Sequence, residues 1–140
     1  MSTKRKGKQD IHVFLSYAAE DSGRAAELIS QLAQQPNLQV FTSDKISAGE
    51  KWQSKIKQAL AKSDFFLVLL SPSSVQSKWV QFELGAAWGL NKSIIPIVTS
   101  HEVVNRIPLD LAELEVVEMD QLKTPEAISE IIGRYEKAAA

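Results

Sequence analysis

The chain has 140 residues, 44% of them hydrophobic and 24% charged, with a formal net charge of −1. That is ordinary for one globular domain with its own core, and near-neutrality removes any global field toward nucleic acid or an anionic membrane. The absence of cysteine excludes disulfides, thiolate nucleophiles and thiolate metal sites. No apolar run approaches the roughly 18 residues of a membrane span, and a cytoplasmic location is expected.

Residues 1–10 carry Lys4, Arg5, Lys6 and Lys8 and read as a disordered basic arm. No apolar segment follows the arm at once, so it is not a secretory signal. Residues 11–138 read as a single domain. Ile11 to Ser16 is a buried strand. Asp21 or Ser22 is placed to cap a helix reaching about Gln34, with Ala25, Leu28, Ile29 and Leu32 on one face. Pro36-Asn37 breaks it, and Leu38 to Phe41 is a second strand. Thr42 to Gly49 is a polar loop, followed by a helix from Glu50 to Lys62 with Trp52, Ile56, Ala59 and Leu60 inward. Phe65 to Leu70 is apolar throughout, as strands covered on both faces are.

Ser71 to Ser74 turns into a helix that holds Trp79 and Glu83. Ile94 to Val98 is a fourth strand, which Pro96 moves toward an edge. Residues 99–113 are irregular, Glu115 to Glu118 is a weak edge strand, and Pro125 to about Lys137 is the closing helix. Strands alternating with helices imply an α/β fold, an open parallel sheet with helices on both faces, and five strands fit the flavodoxin-like order 2-1-3-4-5. Ligands of such sheets bind beyond the carboxyl ends of the strands, where the order reverses between strands 1 and 3. Residues 16–19, 42–49 and 71–77 meet there.

Glu83 stands out. On a helix its face is shared with Trp79, Ala86, Ala87 and Leu90, while Ser77, Lys78 and Gln81 lie opposite. Burying a lone carboxylate costs several kcal/mol or forces its pKa upward. Such a group serves either an internal cation, in a salt bridge, or a ligand.

Several chemistries lack their motifs. No Gly-x-Gly-x-x-Gly follows the first strand, and no Gly-Lys-Ser/Thr loop exists. A phospho-receiver would need acids where Ser16-Tyr17 and Ser71 stand; Glu20 and Asp21 come too late and read as cap and first-turn charges. His12 and His101 have no partner at metal spacing, so no metal site is expected. Ser16 and Ser71 lack the context of a hydrolase nucleophile.

Three segments together resemble a known family. Val13-Phe14-Leu15-Ser16-Tyr17-Ala18, with Glu20-Asp21, is similar to the opening box of Toll/interleukin-1 receptor (TIR) domains. Asp44 to Trp52, then Ile56 and Ala59-Leu60, resembles their loop between strand 2 and helix 2. Ser63 to Ser71, then Ser77, Trp79 and Glu83-Leu84, resembles the third box. The three lie in the family's order between residues 11 and 98, and nothing beyond residue 100 adds to them.

The resemblance implies the five-stranded fold and one of two activities. One is cleavage of NAD+ at the nicotinamide–ribose bond, giving ADP-ribose or a cyclic ADP-ribose isomer, in immune or antiphage signalling. The other is a non-catalytic TIR–TIR interaction module. The NAD+-cleaving branch carries a glutamate in the helix after strand 3, with Trp four residues earlier in several bacterial members. Glu83 and Trp79 hold those places.

By the same resemblance Glu83 is catalytic, and Phe14, Ser16, Tyr17, Ala18, Asp44, Ser47 and Trp79 are substrate-binding candidates. NAD+ is a substrate and no cofactor is implied; partners are other TIR domains and a sensor domain or companion protein. Tyr17 stacks on substrate or caps the core, and Trp79 is an aromatic wall or a core residue. Trp52 reads as core, and Trp88 as an interface residue or one packed beneath the final helix. Gly85 and Gly89 would admit close approach of another element. A nucleoside deoxyribosyltransferase is a more distant reading.

Overall fold

The computed structural model describes residues 10–45, 51–106 and 115–139. Five strands, β1 (Ile11–Ser16), β2 (Leu38–Phe41), β3 (Phe65–Leu70), β4 (Ser93–Val98) and β5 (Val117–Glu118), form one sheet in the order β2-β1-β3-β4-β5. Every pairing is parallel. The helices are α1 (Ser22–Leu32), α2 (Trp52–Lys62), α3 (Lys78–Gly89) and α4 (Pro125–Ala139).

Strand alternation divides the core in two. Val13, Leu15, Phe65, Leu67, Leu69, Ile95 and Ile97 face α1 and α4, where Leu28, Leu32, Ile128 and Ile131 meet them. Phe14, Phe66, Val68, Leu70, Ile94 and Val98 face α2 and α3, against Ile56, Leu60, Val80 and Ala87. β3 is buried at all six positions, as its uninterrupted apolar run requires.

Local chemistry fixes α3, the helix that carries the site. The Ser77 hydroxyl accepts a bond from the Val80 amide at 3.2 Å and caps its start. At its end Asn91 adopts a φ of 57°. The Asn91 amide donates to the Trp88 carbonyl and the Lys92 amide to the Ala87 carbonyl, the paired bonds of a Schellman stop. The Lys92 ammonium then donates to the carbonyls of Ala61 and Ser63 at 3.1 and 3.0 Å. A cation at the carboxyl end of α2 thus ties the two helices together.

Some expectations need correction. Pro96 does not push β4 to the edge: β4 lies between β3 and β5. β5 pairs only with Ile97 and Val98, so Pro96 denies it no ladder bond. α1 stops at Leu32, and α2 begins at Trp52. The stretch after β4 is not wholly irregular, because His101–Arg106 forms a 3₁₀ helix. Another, Met119–Leu122, is closed by reciprocal bonds between Glu118 and Gln121. Asp21 stands at the start of α1 but makes no side-chain capping bond; its carboxylate turns inward and accepts from the Ser71 hydroxyl. Gly85 and Gly89 have open space where a Cβ would stand, so no other described element approaches them. The basic arm, apart from Asp10, and residues 46–50 of the loop lie outside the described residues.

Candidate active site at the switch point

The site is built across the gap between the carboxyl ends of β1 and β3. Ser16 is the last residue of β1 and Glu83 lies in the second turn of α3. The Ser16 hydroxyl donates to Glu83 Oε1 at 2.6 Å. Glu83 has no exposed surface, and its other oxygen, Oε2, has no hydrogen-bond partner among the described residues. Among the described residues no cation pairs with it. No internal salt bridge among the described residues accounts for the buried glutamate.

Burial pushes the Glu83 carboxyl above the ordinary carboxylate range; the Ser16 bond, then the nearby Ser43 hydroxyl and Trp79 indole, hold it partly back. Those last two groups are engaged with each other, Trp79 Nε1 donating to Ser43 Oγ at 3.1 Å. One carboxylate oxygen is held by Ser16, and the other makes no direct hydrogen bond among the described residues, with the Ser43 hydroxyl and Trp79 indole close by. In such surroundings a positive centre or a hydroxyl donor is stabilised far more than in water.

The root of the loop after β2 frames the carboxylate. Thr42, itself buried, donates to Asp44, and the Tyr17 hydroxyl donates to Asp44 Oδ2 at 3.2 Å. Burial first, then the charge and bond of Asp44, then the charge of Glu83, raise the Tyr17 phenol above its ordinary value. Tyr17 therefore stays neutral and remains a donor at physiological pH.

Trp79 is 38% exposed. Its ring centroid lies 5.2 Å from that of Trp52 at 52° and 5.8 Å from that of Phe82 at 33°. Trp52 is thus not a core residue as expected; at 39% exposure it belongs to a surface aromatic cluster beside the site. Trp88 and Leu90 are also exposed, so Glu83 shares its buried face with Val80 and Ala87 and not with Leu90.

The remaining candidates fall at different depths. Ala18 is buried where β1 ends, and Phe14 lies deeper, without exposed surface, against Phe41 and Phe66 at 5.3 and 5.5 Å. Ser47 lies outside the described residues. Sequence reasoning missed Ser43, the Trp79 partner, and the role of Trp52. Neither carries a signal without knowing which loop meets which helix.

A cavity of about 470 Å³ opens on the opposite face, lined by Arg24, Gln31, Thr99, Asp120 and Lys123 among others. Its cations are matched by acids, Arg24 by Asp21 and Lys123 by Asp120, and it holds no unpartnered buried group. Among the described residues there is no group of three metal-ligating side chains and no helix long and apolar enough to cross a membrane.

The sequence profile described as "TIR domain" matches residues 13–132. A 2' cyclic ADP-D-ribose synthase of Bacteroides thetaiotaomicron is 27% identical over 103 residues, covering 68% of this chain and 36% of that protein. A stimulator of interferon genes protein of Magallana gigas is 25% identical over 132 residues, covering 89% of this chain and 32% of that one. The chain spans about a third of the length of these curated relatives. Among solved structures, the TIR domain of a Toll-related receptor of Hydra magnipapillata superposes with a TM-score of 0.69 at 19% identity, covering 87% of this chain and 94% of that one.

Proposed function

The chain belongs to the TIR domain family, and on that footing we propose that it is an NAD+ glycohydrolase that also forms a cyclic ADP-ribose isomer. The observation that carries the reading is Glu83: a fully buried carboxylate with one oxygen held by Ser16 and the other unpartnered, at the switch point of the sheet. The similarity to a 2' cyclic ADP-D-ribose synthase supports including the cyclic product.

The bond that breaks joins ribose C1′ to the nicotinamide nitrogen. Nicotinamide is cationic in NAD+ and takes the bonding pair as it leaves, so it departs neutral and needs no general acid. The ribosyl centre left behind has oxocarbenium character, as in other glycoside cleavages. Glu83 Oε2 stabilises that charge and accepts from ribose hydroxyls. Water attacks C1′ and loses a proton to give ADP-ribose; a nucleophile within the same molecule gives the cyclic isomer. Trp79 supplies an aromatic wall that holds a base or the attacking group. NAD+ is substrate, and no cofactor takes part.

Glu83 is covered where Ser43 meets Trp79 and Asp44 meets Tyr17. Substrate entry therefore requires this contact to yield. In the proposal a neighbouring TIR domain engages loop 42–50 and turnover rises with self-association. A sensor domain or companion protein acting in cytoplasmic immune signalling would supply the trigger. The test is to incubate concentrated protein with NAD+ and separate nicotinamide, ADP-ribose and cyclic products. Nicotinamide release with a ribosyl product supports the reading, and intact NAD+ in the assembled protein overturns it.

A second reading is a non-catalytic interaction module. The exposed aromatic and aliphatic side chains Trp52, Phe82, Trp88 and Leu90 favour it. Defined binding to another TIR domain, without NAD+ turnover by the assembly, would select it.

A further inference from the structure

Asp21 is nearly as buried as Glu83, at 3% exposure, and no step above uses it. A buried acid is retained only where its partners satisfy it. Its Oδ2 accepts from the Ser71 hydroxyl, and its Oδ1 faces Arg24 at 3.4 Å. Its amide donates to the Ala18 carbonyl at 2.8 Å. Asp21 thus holds the segment that contributes Tyr17 and Ala18 and reaches across the switch point to the end of β3.

On that side the network continues without a gap. Ser71 and Ser74, each 1% exposed, bond reciprocally: the Ser71 amide donates to Ser74 Oγ at 2.7 Å, and the Ser74 amide to Ser71 Oγ at 3.0 Å. The Ser77 amide then donates to the Ser74 carbonyl at 3.0 Å, and the Ser77 hydroxyl caps α3. The start of the helix that carries Glu83 is therefore fixed to the segment after β1 through Asp21.

We propose that Asp21 is a positioning residue for the Glu83 site. Through Ser71 it sets the spacing between the β1 segment that contributes Ser16, Tyr17 and Ala18 and the helix that contributes Glu83. The inference rests on the NAD+-cleaving reading for its kinetic consequence, but its geometric content stands apart from that reading. The ion pair with half-exposed Arg24 is secondary. The essential contact is acceptance of the buried Ser71 proton, which an asparagine oxygen can also supply.

The experiment uses the full chain with Asp21→Ala, Asp21→Asn, Ser71→Ala and the Asp21→Ala/Ser71→Ala pair, each checked for a cooperative melt. Asp21→Ala is expected to lower kcat for nicotinamide release by about 10- to 100-fold, the scale of a displacement near 1 Å remote from the chemistry. Asp21→Asn should recover to within about threefold, and the pair should be no worse than the poorer single variant, because one contact is lost once. Wild-type kcat in Asp21→Ala, Asp21→Asn as poor as Asp21→Ala, or multiplying losses in the pair each overturn the proposal. If Asp21→Ala does not fold, Asp21→Asn and Ser71→Ala carry the test.

Carbon-13 titration of the Glu83 carboxyl gives a readout independent of turnover. Its midpoint should fall toward the ordinary carboxylate value in Ser71→Ala and Asp21→Ala as the loosened segments admit water to the buried carboxyl. An unchanged midpoint overturns the positioning role even if the wild type cleaves no NAD+. A changed midpoint without wild-type turnover upholds that role and removes the activity assigned to the site.

Discussion

Ser16 and Glu83 stand 67 residues apart in the chain, yet share a buried 2.6 Å hydrogen bond that joins the end of β1 to α3. The bond occupies Oε1 and leaves Oε2 without a hydrogen-bond partner among the described residues; in the proposed reaction Oε2 is the oxygen that meets the ribosyl centre. Ser16→Ala is expected to slow nicotinamide release by about 10- to 100-fold, equivalent to one hydrogen bond to a charged group. The acid limb of its pH profile should also move to higher pH, since the Ser16 bond lowers the Glu83 pKa. Steady-state rates across pH check both effects; an unchanged rate and limb would place the Ser16 bond outside the reaction.

Activity should fall as the medium is acidified through a midpoint above the ordinary carboxylate range. The reason is that Glu83 must be ionised to stabilise a positive ribosyl centre, while burial raises its pKa. NAD+ has no group that titrates at mildly acid pH on its reacting ribose, so the limb belongs to the enzyme. A kcat/KM that stays flat down to about pH 4.5, near the unperturbed carboxylate value, would contradict this assignment.

The same burial predicts a stability gain from a damaging substitution. The folded-state pKa of Glu83 lies above its unfolded value of about 4.5. The proton is therefore held more tightly in the folded protein, and stability is lost as pH rises from the unfolded pKa through the folded one. Glu83→Gln removes that penalty. At pH 7.5 it should stabilise by about 1–2 kcal/mol, raising Tm by roughly 3–10 °C for a domain of this size. The gain should vanish near pH 4, where wild-type Glu83 is protonated. Thermal melts at the two pH values decide it.

Trp79 and Trp52 are separable by product analysis. Trp79→Ala should raise KM and shift products from the cyclic isomer toward ADP-ribose, because the wall that holds the attacking group is removed and water takes its place. Trp52→Phe keeps an aromatic ring against Trp79 and should leave the product ratio close to wild type. Each ring is more than a third exposed, so neither change should cost more than about 1–2 kcal/mol of stability. Chromatography of the reaction mixture reads the ratio directly.

The sheet was legible because each strand is a short apolar run between breakers. Ile11–Ser16, Leu38–Phe41 and Phe65–Leu70 were delimited in the sequence at the residues the structure assigns. Alternation gave the open parallel sheet, and the order 2-1-3-4-5, which five strands fit and the family resemblance implied, is the one observed. Glu83 was legible as an acid on an apolar helix face. What was not legible depends on partners distant in the chain. The short polar spacing of Asp21 before α1 reads as a helix cap, whereas its acceptor role toward Ser71 lies 50 residues away. Trp52 occupies a core-like position on α2, and only the placement of α3 shows that it meets Trp79 at the surface. Pro96 is tolerated because β5 is two residues long, which no property of β4 announces.

In the proposed reaction Oε2 of Glu83 faces the ribosyl carbon of NAD+. The most direct measurement is the rate of nicotinamide release by concentrated wild-type protein and by Glu83→Gln, which matches glutamate in size and keeps an acceptor for Ser16. A loss of about a thousandfold or more, with the variant folded and at least as stable as the wild type, is the predicted result. Equal rates in the two proteins would contradict it.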